Sequence, residues 1–303
     1  MSFILLGILA SSGAAAAAGN LAGYVAGGAP TVTTINKFAF IDDSRSTLAE
    51  GISPGRKESA GFYDAQVAGY VAGGDVSGLR NATVNKFTFP SDSRSTLGTG
   101  LTNTIVGVVG FSNSGTAGYV AGGADPNKVT RVDKFAFPSD SKSTLGTGLS
   151  IARELGAGFS NQNTAGYYAG GLLAPGPSST VDKFAFPSDS RSTLGTGLSS
   201  IRRDTAGFSN NAVAGYVAGG NGPVSTVDKF SFSDDSRTTL GTGLSSDRAS
   251  PAAFANSEVS GYVAGGSGAV TVDKFAFPSD SRSTLATGLS SGQTACVGFQ
   301  DAS

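Results

Sequence analysis

The segment Gly-Tyr-Val-Ala-Gly-Gly, or a close variant, recurs six times along this chain. Its tyrosines are Tyr24, Tyr70, Tyr119, Tyr167, Tyr216 and Tyr262, spaced by 46, 49, 48, 49 and 46 residues. A repeat of this length marks a supersecondary unit that buries its apolar face only against copies of itself. We therefore expect a single array over residues 21–303, preceded by a separate apolar segment over residues 1–20.

Each repeat contains four short apolar runs separated by turn residues, a pattern typical of consecutive antiparallel strands. In the third repeat the runs cover residues 117–121, 132–137, 143–149 and 156–159. No segment after residue 20 has helical periodicity. Six four-stranded units predict an all-β fold, a six-bladed β-propeller. The final Val297-Gly298-Phe299 strand has the phase to complete the first blade and close the ring.

The length variation is confined to one loop in each repeat. From each Lys-Phe phenylalanine to the next Gly-Phe phenylalanine the distance is always 24 residues, and from there to the next tyrosine it is always 8. Only the segment between the double glycine and the Lys-Phe strand differs in length. If the Gly-Phe strand is innermost and the Gly-Tyr strand is second, the variable loops share one face with the loops that precede the Gly-Phe strands.

That face carries the candidate binding residues, which we call the predicted rim. Four arginines each lie six residues before a Gly-Phe phenylalanine, and a structural role for them is the alternative: Arg56, Arg153, Arg202 and Arg248. The variable loops add six polar residues: Asp75, Arg80, Asp125, Lys128, Arg131 and Asn221.

Other repeated polar residues predict structural roles. The Asp-Lys pairs that open the aromatic strands, such as Asp133-Lys134, are expected to be solvated and of little energetic worth. The cations of the polar turns are expected to hydrogen-bond nearby backbone carbonyls. They are Arg45, Arg94, Lys142, Arg191, Arg237 and Arg282.

Composition narrows the possible chemistry. The chain has no histidine, and Cys296 is its one cysteine. Histidine bases, His-Cys zinc sites, Ser-His-Asp triads and internal disulfides are therefore excluded. We expect no cofactor, no metal and a non-enzymatic function, with Cys296 as a small buried residue in a strand. Charged residues make up 14% of the chain, its net charge is −1, and its basic residues are scattered, so we expect no nucleic-acid partner.

The repeat resembles the Kelch repeat in its Tyr-Val-Ala-Gly-Gly strand, a later aromatic strand, a polar turn with Asp and Thr, and an arginine before the next strand. The resemblance covers about residues 22–299 and implies a propeller. It departs where Kelch units carry tryptophan, since this chain has leucine there, as at Leu145. The Asp-Ser-Arg-Ser-Thr-Leu turn also resembles a degenerate Asp-box of sialidase propellers, in which that motif supports the fold and is not the active site.

Residues 1–19 are almost wholly apolar or small. The strongly apolar run 3–10 is too short to span a bilayer, and no basic residue precedes it, although a secretory signal is the alternative interpretation. The predicted anchor side chains are Phe3, Ile4, Leu5, Leu6, Ile8 and Leu9. We expect them to insert into a partner or to pack against further copies of the chain.

This opening also resembles the starts of structural proteins of tailed phages, especially those infecting cyanobacteria. The resemblance implies a virion component, such as a tail fibre, baseplate or capsid decoration. Residues 1–19 would contact other virion proteins, and the propeller would meet a glycan or protein of the host surface. The alternative is a free Kelch-type adaptor or a lectin, extracellular or cytoplasmic.

Overall fold

The computed structural model describes residues 21–302 of the chain. Within that range the chain forms six antiparallel four-stranded sheets and two small two-stranded hairpins. No helix there is long and apolar enough to cross a membrane. The predicted all-β propeller of six four-stranded blades is confirmed.

The blades are numbered in chain order. Blade 1 contains β1 (Ala22–Ala26), β2 (Ile35–Ala39), β3 (Arg45–Thr47) and β28 (Val297–Gln300). Blade 2 contains β4 (Ala60–Asp64), β5 (Ala68–Ala72), β8 (Val84–Thr88) and β9 (Ser93–Thr96), with the hairpin β6 (Asp75–Val76) and β7 (Leu79–Arg80). Blade 3 contains β10 (Val109–Asn113), β11 (Ala117–Ala121), β14 (Val132–Ala136) and β15 (Ser141–Thr144), with the hairpin β12 (Ala124–Asp125) and β13 (Asn127–Lys128).

The second half of the ring has no extra hairpins among its assigned strands. Blade 4 contains β16 (Ala157–Asn161), β17 (Ala165–Ala169), β18 (Val181–Ala185) and β19 (Ser190–Thr193). Blade 5 contains β20 (Ala206–Asn210), β21 (Ala214–Ala218), β22 (Val227–Ser231) and β23 (Arg237–Thr239). Blade 6 contains β24 (Ala252–Asn256), β25 (Ser260–Ala264), β26 (Val272–Ala276) and β27 (Ser281–Thr284).

The Gly-Phe strand is the innermost strand of each blade, as the sequence predicts. Inner strands of adjacent blades lie so close that a Cβ on Gly110 would be 2.0 Å from the carbonyl oxygen of Gly61. The ring closes because β28 pairs antiparallel with β1, with Phe299 opposite Tyr24. This confirms the predicted closure by the last strand, which removes one exposed edge from each terminal segment.

The strand limits differ most from the predicted ones at two places in the third repeat. The outer strand is β15 (Ser141–Thr144), not 143–149, since the chain leaves the sheet after Thr144. The next inner strand is β16 (Ala157–Asn161), not 156–159. Leu149 lies in the intervening loop and is buried in the core, so its apolar character reflects packing rather than strand pairing.

The hydrophobic core lies between adjacent blades. In blade 2, Phe62 stacks on Tyr70 with ring centroids 4.6 Å apart, and both rings contact phenylalanines of blade 3. The glycine that precedes each repeated tyrosine makes this possible, since a Cβ on Gly118 would lie 2.0 Å from the Phe62 ring. Leu145 is partly buried against the same kind of cluster, at the position of the Kelch tryptophan.

A polar clamp joins each blade to the next. The hydroxyl of Tyr70 donates to Oδ1 of Asp140 at 2.7 Å, and the ammonium of Lys86 donates to Oδ2 of the same carboxylate at 2.6 Å. Tyr70 and Lys86 belong to blade 2, whereas Asp140 lies in the polar turn of blade 3. The same three residue types make the same contacts at all six junctions. The predicted solvated Asp-Lys pairs are therefore wrong, because each lysine binds the turn aspartate of the next blade.

The aspartate of each Asp-Lys pair is buried. Asp182 is fully buried and accepts hydrogen bonds from Thr193, from the Ser150 backbone and hydroxyl, and from Arg153. Five of the six turn cations, all but Arg94, also differ from the prediction, because they donate to side chains rather than to backbone carbonyls. Arg191 donates to the Thr193 hydroxyl at 3.1 Å, and its Nη1 lies 3.8 Å from Asp182.

Candidate functional site

The variable loops lie together on one face, which we call the loop face. It carries the loops over residues 27–34, 73–83, 122–131, 170–180, 219–226 and 265–271 and the loops that lead into the inner strands. Backbone bridges join the two sets, as between Lys57 and Asp75 and between Val224 and Arg248. The opposite face, which carries the polar turns such as 138–141, is called the turn face.

The four arginines of the predicted rim lie inside the blades and not on the surface of the loop face. The exposed fraction is 0% for Arg56 and Arg153, 2% for Arg202 and 1% for Arg248. Arg153 Nη2 lies 2.9 Å from the Asp182 carboxylate, and Arg202 and Arg248 bind Asp228 and Asp273 in the same way. All four guanidinium groups are buried and three of them lie in ion pairs, so the structure favours the structural alternative for these arginines over a place on the predicted rim.

The position six residues before each inner-strand phenylalanine, which we call the arginine slot, differs among the blades. In blade 2, Arg56 donates to the carbonyl oxygens of Val71 and Pro54 at 2.8 and 3.1 Å, but Asn85 stands where blades 4 to 6 have aspartate. Burial lowers the pKa of Arg56 to about 10. Ile105 occupies the slot in blade 3 and Gln293 in blade 1.

A groove of about 540 Å³ runs across the loop face between blades 2, 3 and 4. Its charged lining residues are Arg80, Lys128 and Glu154, and its apolar walls include the half-exposed Ile151. Arg80 Nε donates to the carbonyl oxygen of Ala124 at 3.2 Å, and the Lys128 ammonium lies 3.3 Å from the Glu154 carboxylate. The groove thus joins two residues of the predicted rim.

The other four residues of the predicted rim lie on the loop face but do not line the groove. Asp75 begins the hairpin β6–β7, and Asn221 is exposed in the loop of blade 5. Asp125 accepts a hydrogen bond from Asn103, and Arg131 Nε lies 3.9 Å from the buried Asp133.

The central channel opens on the loop face through a closed ring of backbone hydrogen bonds. The amide of Gly107 donates to the Glu58 carbonyl at 3.0 Å, and Leu155 donates to Gly107 at 2.8 Å. The pattern continues through Asp204, Ser250 and Ala295 and returns to Glu58. The six residues, one from each blade, all have φ between 53° and 69°. Their shared left-handed conformation lets each loop offer one amide to a neighbour and one carbonyl to the other.

Sequence reasoning missed this channel mouth. Glu58 and Asp204 both line it, three blades apart on the ring. Burial raises the pKa of the Glu58 carboxyl, and the nearby acids Asp204, Asp75 and Glu154 add to the rise against the opposing effect of Lys57. Burial also raises the pKa of Asp204. The sequence offered one signal, since each of these six residues lies four positions before an inner-strand phenylalanine. The residue type at that position differs in every repeat, so the sequence does not reveal the shared backbone role.

Cys296 also lines the channel. It is half-buried and precedes β28, so its predicted place inside a strand is wrong. Burial raises the pKa of its thiol to about 12. A thiol held neutral in this way is a poor nucleophile.

The arrangement supports noncovalent binding. Within residues 21–302 no group of three or more Asp, Glu, Cys or His side chains is placed to hold a metal ion. The loop face offers instead a groove with hydrogen-bond donors and a channel mouth with carboxylates.

The fold defines the chain as a six-bladed β-propeller with four-stranded blades. No protein-family model matches the chain, and no curated protein matches it. The solved structure of YjhT matches with a TM-score of 0.67 at 15% sequence identity, covering 84% of this chain and 91% of YjhT. Likeness at that identity shows the fold alone, so the Kelch and phage resemblances stay predictions.

Proposed function

We propose that this protein is a non-enzymatic virion component of a phage, in which residues 1–19 join the particle and the loop face meets the host surface. One observation carries the proposal. Leu21 precedes β1, and β1 runs from the turn face toward the loop face. The carbonyl of Leu21 accepts a hydrogen bond from Phe40, at the start of a polar turn. The described part of the chain therefore begins on the face opposite the variable loops. Residues 1–20 lie outside the described residues.

This polarity suits an attachment protein. A propeller joined to a particle through the segment before Leu21 presents its loop face outward. The repeated residues are used by the fold, because the glycines, tyrosines, lysines and turn aspartates hold the blades together. The parts that vary between repeats are displayed on the loop face, where recognition loops are expected on a rigid scaffold.

The groove is the best candidate for the host contact. Its volume of about 540 Å³ is within the range of small-ligand sites. Arg80 and Lys128 supply cationic donors beside apolar walls. This combination suits a glycan with acidic or hydroxyl groups, because guanidinium and ammonium groups donate to such oxygens while the apolar walls pack against the sugar ring.

The groove is tested with the labelled full chain on an array of bacterial surface glycans. We expect Arg80→Ser with Lys128→Ser to abolish the binding. A matched control, Arg94→Ser with Lys142→Ser, removes the same charge from outer strands of the same blades and should leave binding intact. Equal binding by the two double variants would contradict a groove site.

The particle role is tested by removing residues 1–19. The truncated chain should remain a folded monomeric propeller but should be absent from phage particles produced in cells that express it, whereas the full chain is incorporated. Incorporation of the truncated chain would overturn the anchoring role. Glycan binding by a full chain that never joins particles would instead support the free lectin.

A further inference from the structure

We propose that Asn221 is a modification site, where the side-chain amide converts without an enzyme to aspartate and isoaspartate. Asn221 and Gly222 form the single Asn-Gly pair of the sequence. They lie in the variable loop of blade 5, on the loop face. Asparagine is among the chemically labile residues, and an Asn-Gly pair marks a turn. The inference depends neither on the virion role nor on glycan binding.

The reaction needs only the chain and water. The backbone nitrogen of Gly222 attacks Cγ of Asn221 and forms a C–N bond, and the side-chain nitrogen leaves as ammonia with the proton of the Gly222 amide. Water then opens the cyclic imide at one of its two carbonyls. Cleavage of the new Cγ–N bond gives aspartate, and cleavage of the original peptide C–N bond gives isoaspartate. Both products carry a carboxylate in place of a neutral amide.

The loop leaves the reacting groups open. Asn221 and Gly222 are both exposed, and nothing lies within 4 Å of the position that a Cβ on Gly222 would occupy. The Gly222 amide donates no hydrogen bond within the described part of the chain, whereas the Asn221 amide donates to the carbonyl oxygen of Arg203 at 2.8 Å. The attacking nitrogen is therefore free and unhindered, and glycine permits the backbone rotation that the attack requires.

Two other asparagines show what the fold does elsewhere. Asn113 precedes a small residue, but it is buried in β10, and the amide of Ser114 donates to Oε1 of Gln162 at 2.7 Å. The nitrogen that would attack Asn113 is thus held by a hydrogen bond. Asn127 is exposed, but the Cβ of Lys128 crowds the attacking nitrogen. Only at Asn221, of these three, are exposure, a free amide and glycine combined.

The modification changes the charge and the length of the loop. Burial raises the pKa of Asp204, and the side-chain amide of Asn221 opposes that rise. A carboxylate at position 221 adds a second negative charge there instead. Isoaspartate also adds a carbon atom to the main chain between the strands that the loop joins. Two chemical forms of the loop face therefore arise from one sequence.

The test is incubation of the full chain in mildly alkaline buffer, followed by peptide mass spectrometry and by labelling with isoaspartyl methyltransferase. We expect conversion at Asn221 to be at least about tenfold faster than at Asn127, a difference of about 1.4 kcal/mol in activation free energy. Asn221→Gln should abolish the isoaspartate label. The matched control Asn127→Gln changes another exposed asparagine of the loop face and should leave the label unchanged.

The same incubation in urea separates the effect of the fold from that of the sequence. There we expect conversion at Asn113 to rise, because the Ser114 amide is released, and conversion at Asn221 to change little. Equal rates at Asn221 and Asn127 in the folded chain, a label that persists in Asn221→Gln, or reaction of Asn221 only in urea would overturn the proposal.

Discussion

The hydroxyl of Tyr24 donates a hydrogen bond to Oδ1 of Asp92, 2.8 Å away in the polar turn of the next blade. Lys37 donates to the other oxygen of that carboxylate at 2.6 Å. Two of the most regular features of the sequence, the repeated tyrosine and the turn aspartate, thus contact each other across a blade junction. An equivalent turn carboxylate links the two blades at each of the six junctions.

The clamp predicts a local loss of stability in Asp140→Asn. Asp140 has φ of 55°, which asparagine tolerates, so the substitution removes the charge while preserving the turn. We expect the free energy of unfolding to fall by about 1.5 to 3 kcal/mol, the contribution of a hydrogen bond to a charged group. Urea denaturation measures it. If Tyr70→Phe and Asp140→Asn add fully in the double variant, the two side chains are not coupled.

The arginine slot of blade 2 predicts a stabilising substitution. Asn85→Asp would give the buried Arg56 the carboxylate that Arg153, Arg202 and Arg248 have. We expect the free energy of unfolding to rise by about 1 to 3 kcal/mol, measured by denaturant unfolding.

The reverse substitution in blade 4 is the control. Asp182→Asn leaves Arg153 without its carboxylate and should cost about 3 kcal/mol. A destabilised Asn85→Asp variant would show that Arg56 is satisfied by backbone carbonyls alone.

The double glycine predicts that even alanine is not tolerated at Gly122. Its φ is 67°, and a Cβ there would lie 2.5 Å from the carbonyl oxygen of Arg153. We expect Gly122→Ala to lower the free energy of unfolding by at least about 2 kcal/mol, seen as a lower melting temperature. Gly146→Ala is the matched control, because nothing lies within 4 Å of its Cβ position. Equal melting temperatures for the two variants would contradict the assigned backbone conformation.

Asp301, directly after the strand that closes blade 1, predicts that the stability of the fold depends on pH. Burial raises the pKa of Asp301 to about 6 from its ordinary 3.8, and its Oδ1 accepts the Ala22 amide at 2.6 Å. The folded chain therefore binds a proton more tightly than the unfolded chain, so this group adds stability as the pH falls through about 6 toward 4. Denaturant unfolding should show the stability of the natural chain, relative to Asp301→Asn, rising as the pH falls. A constant difference would exclude this role.

Much of the fold could be predicted because its determinants are local and repeated. The alternation in Lys134-Phe135-Ala136-Phe137, the constant 24-residue spacing and the phase of Phe299 define strands, blades and closure without knowledge of any contact. The variable loops were also located correctly on one face, since strand alternation alone decides the face.

The site could be predicted only in part. Arg80 and Lys128 lie in the groove, but the arginines of the slot are buried. Three of them pair with aspartates, as Arg153 does with Asp182, 29 residues away in the chain. The sequence spacing shows that an arginine recurs at the position of Arg153 in several repeats. It does not show that a carboxylate inside the blade neutralises this arginine.

The sequence by itself determined the number of blades, the order of strands and the location of the variable loops, because period and alternation are properties of the chain. The tertiary structure alone decided which polar residues face solvent. Tyr24 and Asp92 are 68 residues apart, and Glu58 and Asp204 line the same channel mouth only in the folded ring. Burial and pairing depend on such distant neighbours. In the assembled ring the lysine of each Asp-Lys dipeptide binds a turn aspartate of the next blade, and the aspartate of the dipeptide is buried.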